Sequence, residues 1–188
     1  RVDAGTTAPQ EIFATYERLG LAIVDHVTDV GEIPRRADVS RRALAFGRLL
    51  ASHAELARQR ILLASTLAGV GLTSQPVRDG AAASSRALVY RELFLELTDA
   101  PEARLYREAL EEPAVAEAAV RADSLTAGTR PGTSQADASR WYDVATRRLE
   151  ALRGPAAQAA EALMEFARSD RIVAARTRTL ALVVALVV

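Results

Sequence analysis

Between residues 38 and 68 the apolar side chains return every three or four positions. Leu49, Leu56, Leu63 and Leu67 share one line, and Phe46, Leu50, Ala57, Ile61 and Ala64 widen it. This is the recurrence of a helix advancing about 100° per residue, with one side facing a core. The same period runs along almost the whole chain, and no stretch alternates with period two for long enough to make a sheet. The fold class is therefore all-α, most economically an antiparallel helical bundle with connections of a few residues.

Punctuation residues divide the pattern. A first helix is expected from Thr7, as N-cap, to about Val30, with Ile12, Tyr16, Leu19, Ile23, Val27 and Val30 as its stripe and Gly31 and Pro34 ending it. A second runs from about Asp38 to Leu67 or Ala68, stopped by Gly69-Val70-Gly71. A third, capped by Thr73 or Ser74, reaches Leu97; its core candidates are Leu88, Leu93, Phe94 and Leu97, and Gly80 is its weak point. Asp99 followed by Pro101 restarts the chain, and two short helices flank Pro113. Residues 127–135 are a loop rich in turn residues, after which Asp137 or Ser139 opens a helix carrying Trp141. Gly154-Pro155 predicts a bend in that helix.

Composition removes several classes of function. The 188 residues carry 24 basic and 24 acidic side chains, so no net field draws the chain to nucleic acid or anionic lipid. With no cysteine, thiolate nucleophiles, thiolate metal sites and disulfides are all excluded. There is no Gly-rich phosphate loop, no His/Glu metal spacing and no nucleophile elbow, so neither a metal, a cofactor nor a catalytic residue is expected. Every basic residue is arginine, a planar fork able to hold a flat anion by two hydrogen bonds. No signal peptide opens the sequence, and the N-terminus reads as a cut inside a longer protein.

The other end is unlike the rest. Leu180 to Val188 is apolar without interruption and has no polar face, too short for the roughly 20 residues that cross a bilayer. Residues 171–188 are expected to be a linker and the start of a truncated transmembrane helix, following a helical domain over residues 1–170. Arg171, Arg176 and Arg178 just before the run hint at a cytoplasmic flank by the positive-inside rule.

Two arginines stand where apolar residues belong. On a wheel with Leu49 at zero, Arg60 falls within the apolar side that also holds His53, whereas Arg48, Glu55, Arg58 and Gln59 point elsewhere, as solvated residues should. From Trp141, whose side is shared by Ala145, Leu149 and Leu152, Arg148 lies about 20° away and Arg147 about 100° further round. A guanidinium cannot discharge by losing its proton, so an inward arginine needs an anionic partner or a route to water. The partner is either a carboxylate on a neighbouring helix or a small anion bound between helices.

The stretches LLASHAELARQRILLASTLAGVGL (49–72) and RWYDVATRRLEAL (140–152), with the apolar tail, resemble the nitrate- and nitrite-sensing (NIT) domain of bacterial sensor histidine kinases and chemoreceptors. Gln59 and Arg60 match the first motif of that family, without its intervening Glu; Trp141, Tyr142, Thr146, Arg148 and Leu149 match the second. The resemblance implies an all-helical sensor of paired four-helix bundles, here lacking its first helices, that binds nitrate or nitrite through arginines, with Arg60 and Arg148 as the ligand-binding positions. It further implies an extracytoplasmic sensor domain of a membrane-bound histidine kinase, attached to the cell membrane by its C-terminal helix and homodimeric. The rival expectation is a helical dimerisation or protein-interaction module in which both arginines pair with acidic residues.

Overall fold

A computed structural model describes residues 37–69, 75–127 and 134–187, with side chains to residue 169. The expected first helix lies outside the described residues, as do the caps at Thr73 and Ser74, most of the 127–135 loop and the side chains of the apolar tail. The described residues form five helices and no strand: α1 (Ala37–Leu67), α2 (Gln75–Leu97), α3 (Ala100–Leu110), α4 (Pro113–Thr126) and α5 (Gln135–Val187). Among them, no helix is long and apolar enough to cross a membrane.

Cross-helix contacts fix the directions. Arg41 reaches Leu97 and Ser52 reaches Ala87, so α2 descends beside α1. Trp141 meets Arg60 while Arg42 meets Phe166, so α5 also runs antiparallel to α1. The α3 helix starts beside Arg41 and Arg42, and α4 ends beside Trp141 through Ala122. Together α3 and α4 make one ascending limb, broken at Glu111 and Glu112. The result is an up-down-up-down four-helix bundle whose third limb is in two pieces.

The break has a local cause. Pro113 has no N–H to give and its ring would collide with the carbonyl four residues back, so α3 stops at Leu110 and Pro113 opens α4 in its first turn. Glu112, ahead of the proline, is extended at φ −60°, ψ 136°. Proline has a different outcome at Pro155, where α5 continues unbroken to Val187 instead of ending. The flanking turns supply enough hydrogen bonds to carry the helix past one missing N–H.

Each end of the bundle is tied by polar contacts. At the lower end Arg41 donates to the Leu97 carbonyl (2.6 Å), closing the end of α2, and to Asp99 Oδ1 (2.7 Å). Arg42 pairs with the other Asp99 oxygen and lies 4.4 Å from the Phe166 ring centroid. Asp99 sits at the N-cap of α3 without a side-chain cap bond, because both its oxygens are engaged by α1. The Arg41 guanidinium is the first cause holding the Asp99 carboxyl below its usual range. At the upper end Gly69, at φ 74°, turns the chain out of α1 in the left-handed region open to glycine. The start of α5 is set by Ser134, not by the expected Asp137 or Ser139: its Oγ accepts the Asp137 N–H (3.1 Å) and donates to Asp137 Oδ2 (2.6 Å).

Two apolar clusters fill the interior. The lower contains Leu49, Leu56, Phe94, Tyr106 and Leu152; the upper contains Leu63, Leu67, Ala138, Ala145 and Trp141, which has no exposed surface. Alanines at Ala83, Ala87, Ala118 and Ala122 line the helix contacts and let the backbones approach closely. Gly80 does so most of all, since a Cβ there would stand 2.9 Å from Leu63 Cδ2. Phe94 is core as expected, but Leu88 is 48% exposed: it lies beside a cavity instead of a packed neighbour.

The wheel drawn for α1 needs widening. Gln59 is 1% exposed and Glu55 faces α2, where Arg86 grips it with two bonds of 2.7 and 3.0 Å. The reason is that α1 packs on both α2 and α5, so its covered arc exceeds a single stripe.

Candidate functional site

The two arginines singled out by periodicity occupy different surroundings. Arg60 is anchored at its backbone, where its carbonyl accepts the Trp141 indole N–H at 2.8 Å. Its side chain crosses α5: Nη1 donates to Thr146 Oγ1 at 3.0 Å, and Cζ lies 4.6 Å from the Tyr142 ring centroid, a cation–π contact. The Thr146 hydroxyl spends its own proton on the Tyr142 carbonyl (2.7 Å), which leaves its lone pair to receive Arg60. The Arg60 Nε is buried and has no acceptor among the described residues.

Arg148 faces inward at mid-height, into a cavity of about 300 Å³ bounded by all four limbs. The helical period explains the lining, because each helix contributes residues one turn apart. Ser52 and Leu56 come from α1, Tyr106 and Leu110 from α3, Ala119 and Asp123 from α4, and Arg148 and Leu152 from α5. The α2 side is polar, with Ser84, Ser85 and a second arginine, Arg91. That wall and its neighbours include small side chains, Ala87 and Ala119 among them, which leave the space unfilled. Arg60 is not among its lining residues.

Burial is the main cause lowering the Arg148 pKa, with the nearby charge of Arg91 adding to it, while Tyr106 and Asp123 pull it up. Arg148 Nε is buried without an acceptor, and among the described residues no carboxylate forms an ion pair with Arg148 or Arg60. Tyr106 is pushed up to about 12, chiefly by burial. Its hydroxyl lies 3.4 Å from His53 Nε2, and burial followed by the charge of Arg148 pushes His53 down to about 4. At neutral pH the site thus presents a protonated phenol, a neutral imidazole and, in Arg148, a cation with no bonded carboxylate.

Two residues of this region escaped the sequence reading. Gln59 is buried with Nε2 unpartnered among the described residues, although it was expected in solvent. Arg91 gave no signal as a residue, yet Ser84, Ala87, Leu88 and Arg91 repeat at three and four, a stripe that could have placed it. Arg148 is the cation of this lining with no bonded carboxylate among the described residues, and a small oxyanion is the chemical species that would supply the counter-charge.

Comparison with known proteins bears on the same point. The family described as nitrate and nitrite sensing, NIT, matches residues 1–164. No curated protein and no solved structure matches the chain.

Proposed function

From the premise that this chain belongs to the nitrate- and nitrite-sensing (NIT) family, we propose that it is the extracytoplasmic ligand-sensing domain of a membrane-bound sensor histidine kinase, taking nitrate or nitrite through the inward-facing Arg148, while Arg60, outside the cavity lining, holds α1 to α5 through Thr146 and Tyr142. The observation that carries this reading is Arg148: a guanidinium turned into a cavity, its Nε buried and bare, with no carboxylate bonded to it among the described residues. Nitrate is flat, singly charged and weakly basic, so it needs several preorganised donors out of water; guanidinium forks supply them in plane.

Binding neutralises charge that the bundle holds at a cost. An anion between the limbs supplies Arg148 with the counter-charge it lacks and so favours the arrangement that closes on it. A ligand shifts such an equilibrium only by its differential affinity for the two arrangements, and here that difference is the burial of Arg148 with or without a counter-charge. The α5 helix carries Arg148 and continues to Val187, about 60 Å of helix beyond it, which supports transmission toward the apolar tail. In this reading residues 171–188 lead into the membrane span, and the receptor is a homodimer.

The rival reading, a dimerisation module without a small ligand, calls for acidic partners to both arginines; among the described residues neither has one. The test is calorimetry of the full chain with nitrate and with chloride at equal ionic strength, on wild type, Arg148→Gln and Arg60→Gln. Saturable heat with nitrate only, lost in Arg148→Gln, is expected. Equal heats for the two salts would falsify the proposal.

A further inference from the structure

Resting on the nitrate and nitrite reading of this cavity, we propose that Arg91 is a second ligand-binding guanidinium, reaching from α2 across the cavity to share with Arg148 one planar oxyanion. Arg91 and Arg148 line the same cavity from different limbs, together with Tyr106. Asp123 is the one carboxylate on that lining, and it is exposed.

Arg91 is available for the task. Its side chain is 26% exposed, and the partner it holds is its neighbour Glu92, whose Oε1 accepts from Nε at 3.1 Å and Nη2 at 2.9 Å. Glu92 is 55% exposed, so this pair is solvated and weak. Turning the fork from Glu92 into the cavity exchanges a screened contact at the rim for a charge-assisted one beside Tyr106 and Arg148, where water is scarcer. The exchange is unfavourable while the cavity is empty, because it brings two cations together, and favourable once an anion lies between them. Arg91 then ties α2 to α5 through the ligand, a bridge that neither Arg148 nor Arg60 makes.

The fork geometry gives specificity. Two guanidinium planes can each offer parallel N–H bonds to a trigonal oxyanion, whereas a spherical halide uses only their charge. Arg91→Gln removes the charge and the fork, Arg91→Lys keeps the charge alone, and Glu92→Gln releases Arg91 from the rim.

The experiment is a calorimetric titration of the full chain with nitrate, and with chloride at equal ionic strength, for wild type and these three variants, with thermal unfolding in the absence of nitrate alongside. Arg91→Gln is expected to weaken nitrate about ten-fold or more while the ligand-free melting temperature holds or rises, since the residue's one bond partner is an exposed neighbour and its charge works against Arg148. Arg91→Lys is expected to recover little of the nitrate affinity, and Glu92→Gln to tighten it about two- to five-fold. Wild type that binds nitrate beside an Arg91→Gln variant of equal affinity overturns the assignment while leaving the broader function standing. Full recovery by Arg91→Lys overturns the bidentate contact. Wild type that does not bind nitrate removes both.

Discussion

Replacing Arg148 with methionine tests whether the bundle holds an unneutralised charge for the sake of its ligand. The variant keeps an unbranched stem of similar length against Leu152 and Leu56 but deletes the guanidinium. A buried donor without an acceptor costs about 1–3 kcal/mol, and only Nε is both buried and bare here, so the gain on removing it is about 2 kcal/mol. The attractions lost with it, to Tyr106 and Asp123, are smaller than the burial penalty they oppose. For a chain of this size, at about 2–4 °C per kcal/mol, the ligand-free melting temperature rises by about 4–8 °C. Nitrate at about 100 times its dissociation constant adds about 2.7 kcal/mol to wild type and nothing to the variant. The assay is helix loss by circular dichroism against temperature, in chloride and in nitrate at matched ionic strength. Arg148→Met should melt above wild type in chloride and show no response to nitrate. A variant that melts below wild type in chloride would show that Arg148 is already neutralised, and the reasoning would fail at its first step.

Three further outcomes follow from the packing. His53 holds a pKa near 4 in the folded chain against about 6.5 unfolded, so the unfolded state binds more protons between these values. Stability is full above about pH 6.5 and falls by up to about 3 kcal/mol as the pH drops to about 4; His53→Gln flattens that slope in urea titrations, and an unchanged slope contradicts the assignment. Gly80→Ala gains about 0.5–1 kcal/mol of helix propensity but puts a Cβ 2.9 Å from Leu63 Cδ2 and 3.2 Å from its Cγ. Overpacking at about 1–3 kcal/mol wins, giving a net loss of about 1 kcal/mol that pairing with Leu63→Ala should relieve; a more stable single variant would mean that Leu63 yields freely. Trp141→Phe removes the indole bond to the Arg60 carbonyl and part of the upper cluster's volume, a loss of about 2–3 kcal/mol by urea denaturation followed at helix wavelengths, and an unmoved midpoint would refute it.

The helices were legible because their signals are local. Gly69, Pro101 and Pro113 act on the backbone beside them, and the breaks fall where those residues stand. Ser134 also left a local mark, the Ser-x-x-Asp spacing to Asp137, which identifies a cap better than either residue alone. Arg148 was found by its angle to Trp141, for both share one side of α5 and that side is buried. Gln59 and Glu55 were misplaced because a single wheel assumes a single packed side, and α1 touches two limbs. Arg91 was invisible for a related reason: its importance depends on which residues of α3, α4 and α5 stand opposite, and that is tertiary information. The NIT resemblance drawn from residues 49–72 and 140–152 agrees with the family match over residues 1–164. Neither resemblance nor period could show that Arg60 and Arg148 have separate surroundings.

The interruption of the third limb at Glu111 and Glu112 divides one wall of the cavity between two helices. Tyr106 and Leu110 belong to the piece below that seam, Ala119 and Asp123 to the piece above it. The end of α3 is already closed by Glu111 N–H to Glu108 and Glu112 N–H to Ala109, and α4 begins with its own bonds to the Glu112 carbonyl. Swinging one half-wall against the other therefore breaks no helical hydrogen bond. The two pieces of this wall are joined through one extended residue, while the other three limbs run through without a break.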